Sequence, residues 1–234
     1  INASLTKQSK NMINLKNLKL MKKNSVIVNT ARGSLLDEED LYKNYWYLSR
    51  LNKKIVDNLE SITIEAQKEI ELYDNDIVVD IGANDGTLLS FYPDNVIKVG
   101  IDPAQNIHSE LKKNCDIMIG DFFNIKNWEK KMHIQKAQVV TTVAMFYDLD
   151  NPNSFVQDIK SILSDTGVWI CQLMTARPML DSNDLGNVIH EHLEYYSYKA
   201  LVNLLERNGL EIYQVRENDI NGGSYQLFIR HLDK

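Results

Sequence analysis

From residue 76 onward, short apolar runs alternate with longer stretches in which apolar residues return at helical spacing. The runs at 77–81, 96–101, 117–119, 139–143 and 168–173 are rich in Ile and Val and read as strands. Helices are expected between them, starting near Thr87, Ala104, Ile125 and Asn153. Pro152 fits a helix start, where its missing N–H removes no helical bond. Over 197–208, Leu201, Leu204 and Leu205 share one helical face, and Gly209 follows as the C-cap. Two further strands, 210–216 and 224–231, flank Asn221-Gly222-Gly223, a turn composition that supplies positive φ. This rhythm predicts an α/β domain with a mostly parallel sheet.

The first part of the chain differs. Residues 14–23 space Leu15, Leu18, Leu20 and Met21 as a brief amphipathic helix, 25–29 (SVIVN) reads as a strand, and a second helix is expected at about 37–45. A charged, mostly helical stretch then runs from 46 to 72.

Composition narrows the classes of function. With 234 residues, 44% hydrophobic and 25% charged, the chain can bury one sizeable core. A net charge of −6, without Lys/Arg clusters among aromatics, argues against a nucleic-acid groove and for small-molecule partners. Cys115 and Cys171 are far apart and lack C-x-x-C spacing, so neither a disulfide framework nor a metal site is expected. No apolar run reaches the ~20 residues of a membrane helix and no signal-peptide segment is evident, so the expectation is a cytoplasmic protein.

The strongest chemical signal is VVDIGANDGTLLSFY, where a buried strand ends at Asp80, turns through Gly82, Asn84 and Gly86, and is expected to open a helix. The spacing D-x-G-x-x-x-G departs from the G-x-G-x-x-G of pyrophosphate sites and suits an amino acid and a ribose better. Asp102 ends the next strand in VGIDPA, about 20 residues on, where Rossmann-like domains place an acid for ribose hydroxyls. Asp121-Phe122 follows the third strand, where an acid can meet an adenine amino group and an aromatic can pack on its ring. Three acids at successive strand ends favour a ligand site over a tight turn that merely needs glycine.

Two resemblances refine this reading. Residues 5–42, with LT, MIN, MK, VNTARG and LDEED in order, resemble the nucleotide-binding domain of the D-2-hydroxyacid dehydrogenases. By that resemblance Arg32 stands at the family's substrate-binding arginine. The glycine fingerprint, acidic partner and catalytic histidine have no counterpart, so residues 1–43 are expected to be a catalytically inert remnant. Residues 44–234 resemble the sugar C-methyltransferases that methylate carbon 3 of nucleotide-linked 4-keto-deoxysugars. The resemblance is carried by NYWYLSRLN, DIGANDGTLLSFYP, GIDP, DFF, HEHLEYYS and NGGS, over about four-fifths of the chain.

This second resemblance implies a Rossmann-like domain of seven strands that binds S-adenosylmethionine (SAM) through the Asp80 to Gly86 turn, Asp102, Asp121 and Phe122. It implies a nucleotide-linked keto-sugar as partner, His192 as the base that removes the proton beside the ketone, Glu191 beside it, and Tyr45 and Tyr47 in a stretch where a tyrosine contacts the substrate or helps close the site. Histidine suits that role because its ordinary pKa lies near working pH. The residue-level alternatives are a solvated or metal-holding His190-Glu191-His192 and tyrosines that only pack.

The sequence departs from the family at Phe146, Ile189 and Asn221, where members carry histidine, tyrosine and histidine. The family's amino-terminal zinc domain and carboxyl-terminal substrate domain have no counterpart in these residues. The expectation is therefore a cofactor-binding middle that turns over its sugar poorly and self-associates through uncovered apolar surface. Rival readings are an inactive SAM-binding module completed by a partner, an O- or N-methyltransferase, and a hydroxyacid dehydrogenase.

Overall fold

Among the described residues, a seven-stranded sheet in the order β3-β2-β1-β4-β5-β7-β6 organises the fold. Its strands are β1 (Ile77–Ile81), β2 (Ile97–Ile101), β3 (Ile117–Ile119), β4 (Ala137–Val143), β5 (Leu163–Met174), β6 (Leu210–Asn218) and β7 (Ser224–His231). The computed structural model describes residues 6–22, 47–183, 186–188 and 192–232. The expected strand at 25–29, the helix at 37–45 and Arg32 lie outside these residues. The helices are α1 (Leu15–Leu18), α2 (Lys53–Glu69), α3 (His108–Asn114), α4 (Ile125–Met132), α5 (Pro152–Ile162), α6 (Ala176–Ser182) and α7 (Tyr198–Glu206).

Strands β1 to β5 pair in parallel, while β7 runs antiparallel between β5 and β6. This is the α/β sheet expected from the sequence. Every residue of β1 is buried, as a strand covered on both faces requires. Its side chains alternate between two cores. Ile77, Val79 and Ile81 join the layer built with Trp128, Val156, Ile159 and the leucines of α7. Val78 joins Leu59, Ile62 and Ala66 of α2 on the opposite face. Each fully buried side chain of this kind contributes roughly 1.5–3 kcal/mol. β1 has β2 on one side and β4 on the other, so the chain reverses its progress across the sheet there. A crevice opens beyond the strand ends at such a switch point.

Short polar side chains set the helix starts. Asn52, Asn124, Asn151 and Ser197 accept backbone N–H groups at the first turns of α2, α4, α5 and α7. The cap of α7 is Arg207 rather than the expected Gly209, which follows two residues later with φ +76°.

Two local expectations need correction, and one helix was not expected. No α-helix starts near Thr87: one turn is followed by a 3-10 segment at Leu89–Phe91. Pro93 holds Tyr92 extended at φ −79°, ψ 150°, and β2 begins too soon afterwards for a helix to grow. The expected 14–23 helix is only the single turn Leu15–Leu18, and Leu20 beyond it is 81% exposed; so short a helix gains few backbone bonds for its nucleation cost. Helix α6 was not expected. Among the described residues, no helix is long and apolar enough to cross a membrane.

Candidate functional site

The turn after β1 is held in shape by its own polar groups. Gly82, Asn84 and Gly86 all take positive φ, at +75°, +50° and +76°. At Gly86 even a methyl group would stand 2.8 Å from Asn114 Cβ, so this position admits only glycine. Ile101 O accepts the N–H groups of Gly82 and Ala83, which ties the turn to β2. Asp85, almost wholly buried, accepts Thr87 Oγ1 at 2.6 Å and Arg50 N–H at 3.1 Å. The Asn84 side chain donates to Tyr47 O at 3.0 Å and accepts Ser49 N–H at 3.0 Å. Asn84 and Asp85 thus staple residues 47–50 across the turn. The side-chain amide of Asn84 is engaged by this segment, while its backbone N–H donates to Asp102 Oδ2 at 2.8 Å.

Two buried acids stand next to this turn. Asp102 accepts a second backbone N–H, from Ala104 at 2.8 Å, so backbone bonds fix its carboxylate while lone pairs remain. Burial raises the Asp102 pKa, and the Ala104 and Asn84 bonds oppose that rise. Asp80 accepts Thr141 Oγ1 at 2.7 Å. Burial pushes the Asp80 carboxyl up to about 7, against the Thr141 bond, with the charge of Asp102 adding to the rise. Asp121 is exposed and accepts the N–H of Phe122 at 2.8 Å.

The raised Asp80 value has a measurable consequence. An unfolded aspartate titrates near ~3.9, so the folded chain holds the extra proton between roughly pH 4 and pH 7. The stabilisation is full below the unfolded value and is lost as pH rises through about 7. Asp80→Asn stays neutral and can still accept the Thr141 bond. It is expected to raise the ligand-free melting temperature at about pH 8 and to do little at about pH 4. An equal effect at both pH values, followed by thermal denaturation, would remove burial of a charge as the cause.

Asp80, Gly82, Asn84, Asp102, Asp121 and Phe122 line one cavity of about 720 Å³, together with Tyr47 and His192. Gly86 is not on the lining; it sits behind the turn against Leu111 and Asn114. Tyr45 and Glu191 lie outside the described residues. Burial, then the charge of Asp85, raises the Tyr47 pKa, so its phenol stays protonated and can donate. Phe146 does not reach the cavity; it is buried against Phe155, Trp169 and Tyr196.

His192 packs its ring 4.3 Å from that of Tyr147, and its Nδ1 lies 2.9 Å from Asn187 O. Tyr147 O also accepts the N–H groups of Leu193 and Glu194, each at 3.0 Å. Tyr147, Asn187 and Asn58 line the cavity and Asp85 supports its turn; the sequence reading singled out none of the four. Asn58 lines the cavity with an Nδ2 that is buried and lacks a hydrogen-bond partner. Only Asp85 had a local signal, the Asp-x-Thr spacing of an Asx turn. The others are joined to the site by tertiary packing.

A doubly wound parallel sheet with a flipped last strand, a glycine turn after β1 and acids at the ends of β1 and β2 defines the Rossmann-like class I fold of SAM-dependent methyltransferases. The chain belongs to the methyltransferase domain family, whose profile matches residues 47–215. It is 23% identical over 196 residues to the C-methyltransferase NovU of Streptomyces niveus, covering 83% of this chain. The chain spans 47% of the length of that relative. Among solved structures, a SAM-dependent methyltransferase from Clostridium acetobutylicum superposes with a TM-score of 0.58 at 12% identity, over 76% of this chain and 92% of that one. Magnesium protoporphyrin IX methyltransferase from Synechocystis, with bound S-adenosylhomocysteine (SAH), gives 0.54 at 11% identity, over 76% and 82%.

Residues 1–75 also match the NAD binding domain of D-isomer specific 2-hydroxyacid dehydrogenases. The two matches overlap over 47–75. There α2 packs Leu59, Ile62 and Ala66 into the core beneath β1 and β4.

SAM is the cofactor of this family, and the residues present fit it. The cavity volume falls in the range of small-molecule sites, ~300–1,000 Å³. A cationic ligand would offset the burial cost of ionised Asp80, and Asp102 has acceptor capacity left for hydroxyl groups.

Proposed function

We propose that this chain methylates a carbon atom of a nucleotide-linked keto-deoxysugar at the expense of SAM. The observation that carries the reading is that His192 shares one cavity with the strand-end acids. In this reading residues 44–234 form the catalytic domain and 1–43 a dehydrogenase-like remnant. Asp102 accepts the ribose hydroxyls, Asp121 meets the adenine amino group, Phe122 packs on the ring, and Asp80 and the glycine turn receive the amino-acid end.

SAM supplies an electrophilic methyl group on a sulfonium. His192 takes the proton from the carbon beside the substrate's ketone, and the bond's electron pair moves into the carbonyl as an enolate. When bound, SAM would give its methyl group to that carbon and leave as the thioether SAH. In this reading Tyr47, with its protonated phenol, and Tyr45 contact the substrate or help close the site, and Glu191 stands beside the base. General-base removal of such a proton typically contributes ~100-fold to ~10,000-fold. The likeness to NovU supports carbon as the acceptor.

The test is incubation of the protein with SAM and a panel of nucleotide-linked 4-keto-deoxysugars, with mass-spectrometric and NMR location of the added methyl. Methyl at the carbon beside the ketone is the expected result. Methyl on oxygen or nitrogen, or turnover only of unrelated acceptors, would overturn the assignment of substrate and of His192.

A further inference from the structure

We propose that Asn187 is a positioning residue for His192: its main-chain carbonyl holds the imidazole in the Nδ1–H tautomer, which puts the basic lone pair on Nε2. The inference rests on the reading of His192 as the proton acceptor. A neutral imidazole carries one N–H, and the nitrogen that holds it cannot accept a proton. Nδ1 lies 2.9 Å from Asn187 O. A carbonyl oxygen only accepts, so Nδ1 is the donor.

The carbonyl is itself held in place. Asn187 Nδ2 donates to Asn221 O at 2.9 Å. Asn221 stands in the β6–β7 turn with φ +53°, and Ile220 O beside it accepts Ser224 Oγ at 2.8 Å, which anchors the turn to β7. From the opposite side, the Tyr147 ring rests 4.3 Å from the imidazole, and Tyr147 O binds the two N–H groups that follow His192. The imidazole is therefore clamped between the end of β4 and the β6–β7 turn. Asn187, Asn221, Tyr147 and His192 all line the cavity. The Nδ1–H bond to Asn187 O also strengthens when the ring becomes charged. In a Ser-His-Asp triad, loss of the correct tautomer with geometry intact lowers kcat by ~10,000-fold, so such a bond can govern the rate.

The experiment is a long-range 1H–15N NMR spectrum of the histidine side chains in the 15N-labelled 234-residue chain, with His192→Gln assigning the signals. The native protein should show a protonated Nδ1 and an unprotonated Nε2 at pH above the ring's titration. In Asn187→Ala, and in Asn187→Asp, which keeps the size but cannot donate to Asn221 O, the signals should move toward the Nε2–H form. In both, kcat should fall about tenfold or more, bounded by the triad precedent of ~10,000-fold. SAM affinity and the amide spectrum should stay native, which confirms folding. A native Nε2–H tautomer, or native tautomer populations in both folded variants, would overturn the proposal. The reading of His192 as base fails separately: it falls if tautomers shift as stated while His192→Ala still exchanges the substrate proton at the native rate.

Discussion

Replacing His192 by alanine is expected to slow solvent-deuterium exchange at the carbon beside the acceptor's ketone by ~100-fold to ~10,000-fold. Methylation should fall with it, because the proton must leave before carbon can attack. SAM affinity should be nearly unchanged. The reason is placement: His192 lies on the part of the cavity wall built by Tyr147, Asn187 and Asn221, whereas Asp80 and Asp102 lie at the ends of β1 and β2. The two readouts separate base chemistry from cofactor binding, provided exchange is measured at saturating SAM in both proteins. Equal exchange in the two would clear His192 of the role, and a large loss of SAM affinity would relocate it to the cofactor.

The second large effect belongs to Asp102. SAM at 100 times its dissociation constant should stabilise the native chain by ~2.7 kcal/mol, a shift visible in a thermal scan, and NAD should give none. Asp102→Ala is expected to abolish most of the SAM response. It should also lower the ligand-free melting temperature, because the N–H groups of Asn84 and Ala104 lose their acceptor, and each unsatisfied buried group costs ~1–3 kcal/mol. Asp102→Asn separates the two effects: one amide oxygen can keep a backbone bond while the charged acceptor for hydroxyls is gone. A shift with NAD but not SAM would point the cavity to a dinucleotide. A full SAM shift in Asp102→Ala would place the ribose elsewhere.

How far the sequence reached differs from element to element. Strands β1, β3 and β7 have the bounds expected from their apolar runs, and the Pro152 start of α5 was legible to within one residue. The helix expected near Thr87 failed because Pro93 and the early start of β2 leave no room for it, a length constraint that outweighs local propensity. Helix α6 was missed because Ala176–Ser182 has little helical periodicity. Its placement is decided instead at Gly223, where an added Cβ would stand 2.4 Å from Pro178 Cβ.

The candidate site divides along the same line. Asp80, the glycine turn and Asp102 were readable because a strand end, a sharp turn and the next strand end recur at short, regular spacing. By itself the sequence determined the α/β sheet and the acids at its strand ends, since buried strands must be apolar and parallel strands must all end on one side. Only the tertiary structure inserted β7 between β5 and β6, because strand neighbours are chosen by pairing rather than by order along the chain. It alone also set Asn84 and Asp85 to hold residues 47–50, and brought Asn187 O and the Tyr147 ring against His192. A main-chain carbonyl carries no residue signature, and contacts between the end of β4 and a later loop exist only once the sheet has formed.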